Sequence, residues 1–387
     1  MDSEPQPDQP IRQLKIAVLN RIFSTSGGGA ERYSVALVEQ LAARHEIHVF
    51  AQEIDHQWPG VTYHAVSGWF RKPRWLNQLW YAYATWSVTR QGFDIVHSHE
   101  NVWHGQVQTI HVKTVKRGLL EGRAGHRKVL RWLKVVLSPR LITYMTLERR
   151  RLSARQMVAI VAVSQNLQDE ILAQYPQGAS CLSVITPGVA PPQHAMGQQQ
   201  ARGQLGVPTD GVQALFVAND YTRKGLPTLL EAMQGMPDVH LLVVGHSGQI
   251  ARYTDVVAAL NLQDRVHFLG SLQEMSTAYF AADVLVHPTL EDSFAMVVLE
   301  AMAHGVPVVV SSCTYCGISS LLTNEVDALI LEQPENVDEV RSTILRVLND
   351  AVLAKKLSRA GEVFAHRHSW QHAAQAYERL YAKLVEP

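Results

Sequence analysis

Three cysteines among 387 residues, Cys181, Cys313 and Cys316, are too few for a disulfide framework. The chain therefore depends on buried cores, and a reducing compartment is the simpler reading. Long apolar runs are missing too. None approaches the ~18 residues needed to cross a bilayer, the longest near-candidate being Met157 to Val163, so any membrane contact would be peripheral. The opening stretch, MDSEPQPDQP, has acids and prolines where a signal peptide has a basic start and an apolar segment. It reads as a floppy tail, and the expected location is the cytoplasm. Net charge is also absent: 35 Lys and Arg balance 35 Asp and Glu, which gives no overall polyanion preference and no reason to expect nucleic acid as a partner.

What is present is ordinary globular composition, 47% hydrophobic with 18% charged residues, in a chain long enough for two α/β domains of common size. Its charge is unevenly spread. Between Lys113 and Arg155 thirteen Lys or Arg stand against two acids, Glu121 and Glu148. At the centre of that segment, His126 to Val136 (HRKVLRWLKVV) sets Val129, Leu130, Trp132, Leu133 and Val136 among Arg127, Lys128, Arg131 and Lys134. The pattern suits a helix lying in an anionic membrane surface, and equally an amphipathic helix packed on its own domain.

Periodicity gives the organisation. Lys15 to Asn20 is a short β-branched apolar run, followed by Ser24 to Gly29 (STSGGG) and by Leu37, Val38 and Leu41 at helical spacing, which spells strand, glycine loop, helix. Ile47 to Ala51, Asp94 to His97 and Met157 to Val163 read as buried parallel strands with helical stretches between them. Pro191 to Arg202, rich in Pro and Gln without an apolar period, reads as a linker. A second series follows: strands over Ala214 to Ala218, Val239 to Val244, Arg265 to Leu269, Val284 to His287, Pro307 to Val310 and Ala328 to Leu331 alternate with helices over Pro227 to Met233, Met275 to Ala282 and Val337 to Leu348. The fold class is thus α/β, two doubly wound Rossmann-like domains facing across a cleft, with ligands outside the carboxyl ends of the sheets. The expected boundaries are a tail over 1–10, a first domain over 11–188, a linker over 189–202 and a second domain over 203–369. A C-terminal helix over 370–387 is expected to pack back on the first domain.

Three motifs carry chemistry. Gly27, Gly28 and Gly29 follow a strand and open a helix, where bare backbone can approach an anion or a sugar. They lack the GxGxxG spacing and the downstream acid of a nicotinamide site. Asn219 to Gly225 (NDYTRKG) places Arg223 and Lys224 where a strand gives way to a helix, an arrangement suited to a diphosphate. Most informative is His287 to Gly305, HPTLEDSFAMVVLEAMAHG. There Asp292 precedes a helix expected to begin near Ser293. Glu300 then lies inside it among Val297, Val298, Leu299, Ala301 and Met302, and a carboxylate in such company needs a partner. His97, His99 and His104 cluster without a carboxylate at ligand spacing, and Cys313 and Cys316 form a lone CxxC, so no metal is expected.

The last stretch is similar to the acidic motif of glycosyltransferase family 4, the retaining GT-B transferases, read as EGFGxxxxE followed by AMAxGxPVV. Here it stands as DSFAMVVLE followed by AMAHGVPVVV. GGGAERY, DIVHSH, TIH, VAVSQ, ITPGV, NDYTRKGLPTLLEAM, LLVVG and RVHFLG follow in family order, so the resemblance spans most of the chain. Within the family it looks most like the transferases of lipopolysaccharide core. The resemblance implies transfer of a hexose from a nucleotide diphosphate sugar, with no metal or other cofactor. The acceptor implied is a glycolipid met at the inner face of the cytoplasmic membrane, with Lys113 to Arg155 as the membrane-facing segment. Absence of Asp-x-Asp anywhere agrees with a site that dispenses with the metal of GT-A enzymes.

Carried over residue by residue, Arg223 and Lys224 would neutralise the diphosphate, Gly28 and Gly29 would approach it, and Glu300 would hold the ribose hydroxyls. Asp292 would bind the transferred sugar beside the backbone amides of Ala295, Met296 and Val297. His111, in TIH, would stand next to the donor sugar, and Gly270 and Ser271 would border the base. Asp292 replaces the family's first glutamate, and Ser293 and Ala295 stand where many members have glycine. Two rival readings are a nucleotide-sugar epimerase on the same architecture and a non-catalytic nucleotide-sugar-binding protein.

Overall fold

A computed structural model describes residues 12–25, 27–69, 72–120, 134–153, 158–245 and 248–385. The chain divides into two compact units: 1–163 with 167–185 and 373–387, and 164–166 with 186–372.

The first unit is built on a seven-stranded, wholly parallel sheet. Its strands are β1 (Lys15–Leu19), β3 (Glu46–Ala51), β5 (Val61–Ala65), β6 (Ile95–Ser98), β7 (Val107–Ile110), β8 (Ala159–Ala162) and β9 (Leu182–Val184), and they lie in the order β5-β3-β1-β6-β7-β8-β9. β2 (Ile22–Phe23) and β4 (Glu53–Ile54) pair separately. Helices on both faces explain why the central strands are apolar along their whole length: Ile16, Ala17, Val18 and Leu19 are all buried. Sequence patterning missed β5 and β7. Val61 to Ala65 alternates half-buried and exposed residues at a sheet edge, and VQTI interrupts its apolar run with two polar side chains that the fold buries.

The second unit has six parallel strands, β10 (Val212–Val217), β11 (Val239–Val244), β12 (Val266–Gly270), β13 (Val284–His287), β14 (Val308–Ser311) and β15 (Leu329–Leu331), in the order β12-β11-β10-β13-β14-β15. In both units the strand order reverses once, between β1 and β6 and between β10 and β13. The crevice at the carboxyl ends of such a pair is the binding place of doubly wound sheets.

The stretch read as a linker is partly structured. Gln198–Leu205 is a helix, and its Arg202 is buried, donating to the carbonyls of Ala281, Thr209 and Gly211 and to the Asp283 carboxylate. The helix has too few apolar residues to show a period; a buried arginine with four acceptors does the anchoring. At the other end, the helix Trp370–Val385 contributes Tyr377 and Tyr381, both fully buried, to the core of the first unit.

Candidate active site

At the reversal point of the second sheet, β10 runs out into Asn219 to Gly225 and β13 into Pro288 to Asp292. Gly225 adopts φ +82°, and a Cβ there would stand 2.0 Å from the Pro288 carbonyl oxygen, so the close approach of the two loops requires glycine. Gly225→Ala is therefore expected to cost about 2–3 kcal/mol, seen as a fall in the melting temperature of the second unit. An unchanged melting curve would show that the loops separate without penalty.

That approach places Lys224 Nζ 2.5 Å from Asp292 Oδ2 and 2.9 Å from the Glu291 carbonyl oxygen. His287, the last residue of β13, has Nε2 3.1 Å from the same Oδ2. Asp292 Oδ1 accepts from the amides of Phe294 (3.3 Å) and Ala295 (3.0 Å). Burial alone would raise the Asp292 carboxyl, but the His287 hydrogen bond and the Lys224 charge outweigh it and hold the group well below the usual carboxylate range. An ionised carboxylate only accepts, so His287 donates through Nε2; its Nδ1, buried without a partner among the described residues, is then a bare lone pair. Sequence reasoning missed His287 as a partner, since it sits inside an apolar strand where a histidine normally reads as packing. The CxxC segment also finds a use: Asp292 donates its amide to the Tyr315 carbonyl and accepts from Gly317 N, which fixes its backbone.

The helix after Asp292 starts at Met296 rather than near Ser293, because Ala295 takes a left-handed conformation, φ 71° and ψ 68°. This is a position that favours the glycine of the family motif. One consequence corrects the expected set of open amides: the Ala295 N–H is already taken by Asp292, leaving Met296 and Val297, half-buried at the first turn, as the amides without intrahelical acceptors. Glu300 is buried, and the partner its apolar surroundings demand is Tyr279, whose hydroxyl donates to Oε2 at 2.7 Å. The Arg223 side chain is half-exposed and, among the described residues, makes loose contacts to Asp220 (3.5 Å) and Glu291 (4.0 Å); pairs of this kind hold an arginine weakly. Gly270 ends β12 at φ +65° with open space where a Cβ would be, and Ser271 beside it is exposed.

In the first unit the glycine turn caps the helix Gly29–Leu41, which has no side-chain cap. It is not a bare anion cradle, since Glu31 lies against it, with Oε2 3.0 Å from where a Gly28 Cβ would be. His111 follows β7 and is half-buried. Its Nε2 lies 2.9 Å from His99 Nδ1, and the ring of Tyr33 stands edge-on at 4.8 Å. Burial pushes His111 and His97 down to about 3 and His99 well below its ordinary value. Both nitrogens of His97 are engaged, by Tyr381 and Thr109 at 2.7 Å each, which removes it as a metal ligand. Among the described residues no three His, Cys, Asp or Glu side chains converge as a metal site. Arg151, read only as one of the basic cluster, is a structural clamp: it donates to Gln108 Oε1 and to the Thr109 carbonyl. A separate groove of about 640 Å³ in this unit, lined by His48, Phe50, His64, Trp80 and Phe93 among others, contains none of these residues.

The centre of the basic segment, residues 121–133, lies outside the described residues. Of the cations that are described, Arg117 pairs with buried Glu170 and Lys116 donates to the Gln174 carbonyl, so part of the charge excess serves the fold. Lys134, Arg140, Arg149 and Arg150 remain on the surface, where Val136 and Leu137 are 63% and 80% exposed. No described helix is long and apolar enough to cross a membrane.

Two doubly wound units, one with a lysine paired to a half-buried carboxylate at its reversal point, define the GT-B class. Residues 27–192 match the family model of Glycosyltransferase Family 4 and residues 197–364 that of Glycosyl transferases group 1, and the chain belongs to this family. It is similar to WaaG, a glycosyltransferase involved in lipopolysaccharide biosynthesis, with 17% identity over 95% of this chain and 99% of that one and a TM-score of 0.81. It is also similar to HepE of Anabaena, solved with UDP and glucose, with 17% identity over 96% of this chain and all of that one and a TM-score of 0.75. An uncharacterized glycosyltransferase of Methanocaldococcus jannaschii is 28% identical over 246 residues, 61% of this chain. The match spans 62% of that relative's length.

Proposed function

We propose that the protein is a retaining hexosyltransferase that moves a sugar from a UDP-sugar to a lipid-linked glycan such as lipopolysaccharide core. The observation that carries this reading is the Lys224–Asp292 pair at the reversal point of the second sheet. A carboxylate offers about four lone-pair sites, and Asp292 has all four engaged: Lys224, His287 and two amides. A sugar hydroxyl can bind there only if one donor leaves. Lys224 is the donor with somewhere to go, since a diphosphate arriving beside Arg223 carries more charge than a carboxylate. Donor binding thus transfers the lysine to the diphosphate and opens Asp292 Oδ2 to the sugar. The UDP in the HepE structure and the lipopolysaccharide role of WaaG support the choice of donor and acceptor.

Retention rests on the family resemblance. The acceptor hydroxyl attacks the anomeric carbon from the side the diphosphate leaves, the bond to the diphosphate breaks, and the proton passes to the departing phosphate oxygen. The protein's part is to stabilise charge on that oxygen through Lys224, Arg223 and the Met296 and Val297 amides. The test is nucleoside diphosphate release from a panel of nucleotide sugars with and without glycolipid. Release that needs acceptor supports transfer. Interconversion of the sugar without acceptor means an epimerase, and tight binding without either reaction means a binding protein. Activity is expected to persist in excess EDTA, because Arg223 and Lys224 supply the positive charge; loss of activity restored by magnesium or manganese would overturn that.

The acceptor reading includes docking on anionic membrane through Lys113 to Arg155. Exposed Val136, Leu137 and Ile142 beside Lys134 and Arg140 support it, since a basic surface residue near an anionic leaflet contributes about 1 kcal/mol. Binding to anionic vesicles in a sedimentation assay should fall with salt and drop when Arg127, Lys128, Arg131 and Lys134 are neutralised together. Protein left in the supernatant at low salt would point instead to a soluble acceptor.

A further inference from the structure

We propose that His99 is a positioning residue that fixes His111 as the Nδ1–H tautomer, so that His111 serves its ligand as a hydrogen-bond donor and never as a base. The inference rests on reading His111 as part of the site, and concerns which of its two nitrogens carries the proton.

A neutral histidine has one N–H and one bare nitrogen. His99 Nδ1 and His111 Nε2 are 2.9 Å apart, so one of them donates. His99 Nε2 is buried and finds no hydrogen-bond partner among the described residues. Were His111 the donor, His99 would carry its proton on Nε2 and leave an N–H orphaned in the core; were His99 the donor, Nε2 would be an orphaned lone pair. Orphaned buried N–H groups are the rarer and costlier of the two. His99 therefore donates from Nδ1, His111 Nε2 accepts, and the proton of His111 sits on Nδ1. That atom makes no hydrogen bond to the described residues and is not among the enclosed partnerless atoms, which leaves it available to an accepting oxygen of a sugar hydroxyl or phosphate. Burial keeps both rings neutral at physiological pH.

The surroundings hold the pair rigid. Tyr381 Oη meets His97 Nδ1 at 2.7 Å, His97 Nε2 meets Thr109 Oγ1 at 2.7 Å, and Thr109 Oγ1 and Tyr33 Oη each lie 2.8 Å from Tyr377 Oη. This chain ties the C-terminal helix to β6, to β7 two residues before His111, and to the helix that follows the glycine turn. The His97 ring packs 4.4 Å from His99, and Tyr33 stands edge-on to His111. With Arg151 holding the Thr109 carbonyl, the imidazole of His111 has little freedom to turn over and exchange its nitrogens.

The experiment is long-range ¹H–¹⁵N NMR on histidine-labelled full-length protein, with His111 assigned from the signal lost in His111→Ala. The wild type should show His111 protonated on Nδ1. His99→Leu should let the Nε2–H form appear and lower kcat/KM by about tenfold to a hundredfold, the range for a misplaced contact group. His99→Asn, whose side-chain amide places an N–H close to where Nδ1–H was, should recover the Nδ1–H signal and part of the lost turnover. Nε2 protonation of His111 in the wild type overturns the proposal, as does His99→Asn behaving like His99→Leu in a folded protein. If His111→Ala keeps full turnover while the tautomer is as stated, the assignment of His111 to the site fails and the tautomer argument stands.

Discussion

Lys224→Ala is expected to lower kcat/KM by about 10²–10³-fold, the cost of removing one preorganised donor from a developing negative charge. The loss should fall on donor binding and turnover together, because the same ammonium releases Asp292 and meets the diphosphate. Stability should change little. The side chain is largely buried, but Asp292 keeps His287 and the two amides when the lysine is gone. A useful contrast is Arg223→Ala: its guanidinium is half-exposed and loosely held, so it acts on the bound diphosphate without governing Asp292. Lys224→Ala with unimpaired steady-state kinetics would remove the basis for the proposed site.

Acid should destabilise the first unit well before ordinary carboxylates protonate. His97 and His99 are buried and held neutral, His97 at about 3 and His99 well below its ordinary value, both chiefly because burial penalises the charged ring. In the unfolded chain each titrates near 6.5. Below that pH the unfolded state binds protons that the folded state refuses, so the stability fully present above about 6.5 is lost as the pH falls towards about 3. Each such residue contributes a slope of about 1.4 kcal/mol per pH unit, and the two together about 3 kcal/mol. Against a total of roughly 5–15 kcal/mol for a domain, two units of pH are severe. In the second unit Asp292 works in the same direction at lower pH, because its depressed carboxyl must be protonated for its contacts to fail. Urea unfolding between pH 7 and 5, below which carboxylates elsewhere join in, is the decisive window. A flat stability across it would mean that the histidines are hydrated in solution.

Much of the molecule could be read from the residues in order. IAVL, ALFV, LLVV and VLV are buried without a break, as a strand covered by helices on both faces requires of most of its side chains. Arg223, Lys224, Asp292 and Glu300 were legible because each stands where a strand passes into a helix or lies in an apolar run that has no other use for a charge. The start of the helix after Asp292 was not, because nothing in DSFAMVV announces that Ala295 turns left-handed. Nor was the helix Gln198–Leu205, anchored by one buried arginine.

The sequence by itself determined two parallel sheets, the loops at their reversal points and the charges on those loops, since strand pattern and loop chemistry are properties of neighbouring residues. Only the tertiary structure decided the partners: Lys224 with Asp292, His287 behind them, Tyr279 on Glu300, and Tyr377 and Tyr381 reaching from the last helix to β6 and β7. These pairings join residues as much as 284 positions apart. They exist because a buried polar group must find a complement wherever the chain's packing brings one within about 3 Å, and local sequence carries no record of which group that will be.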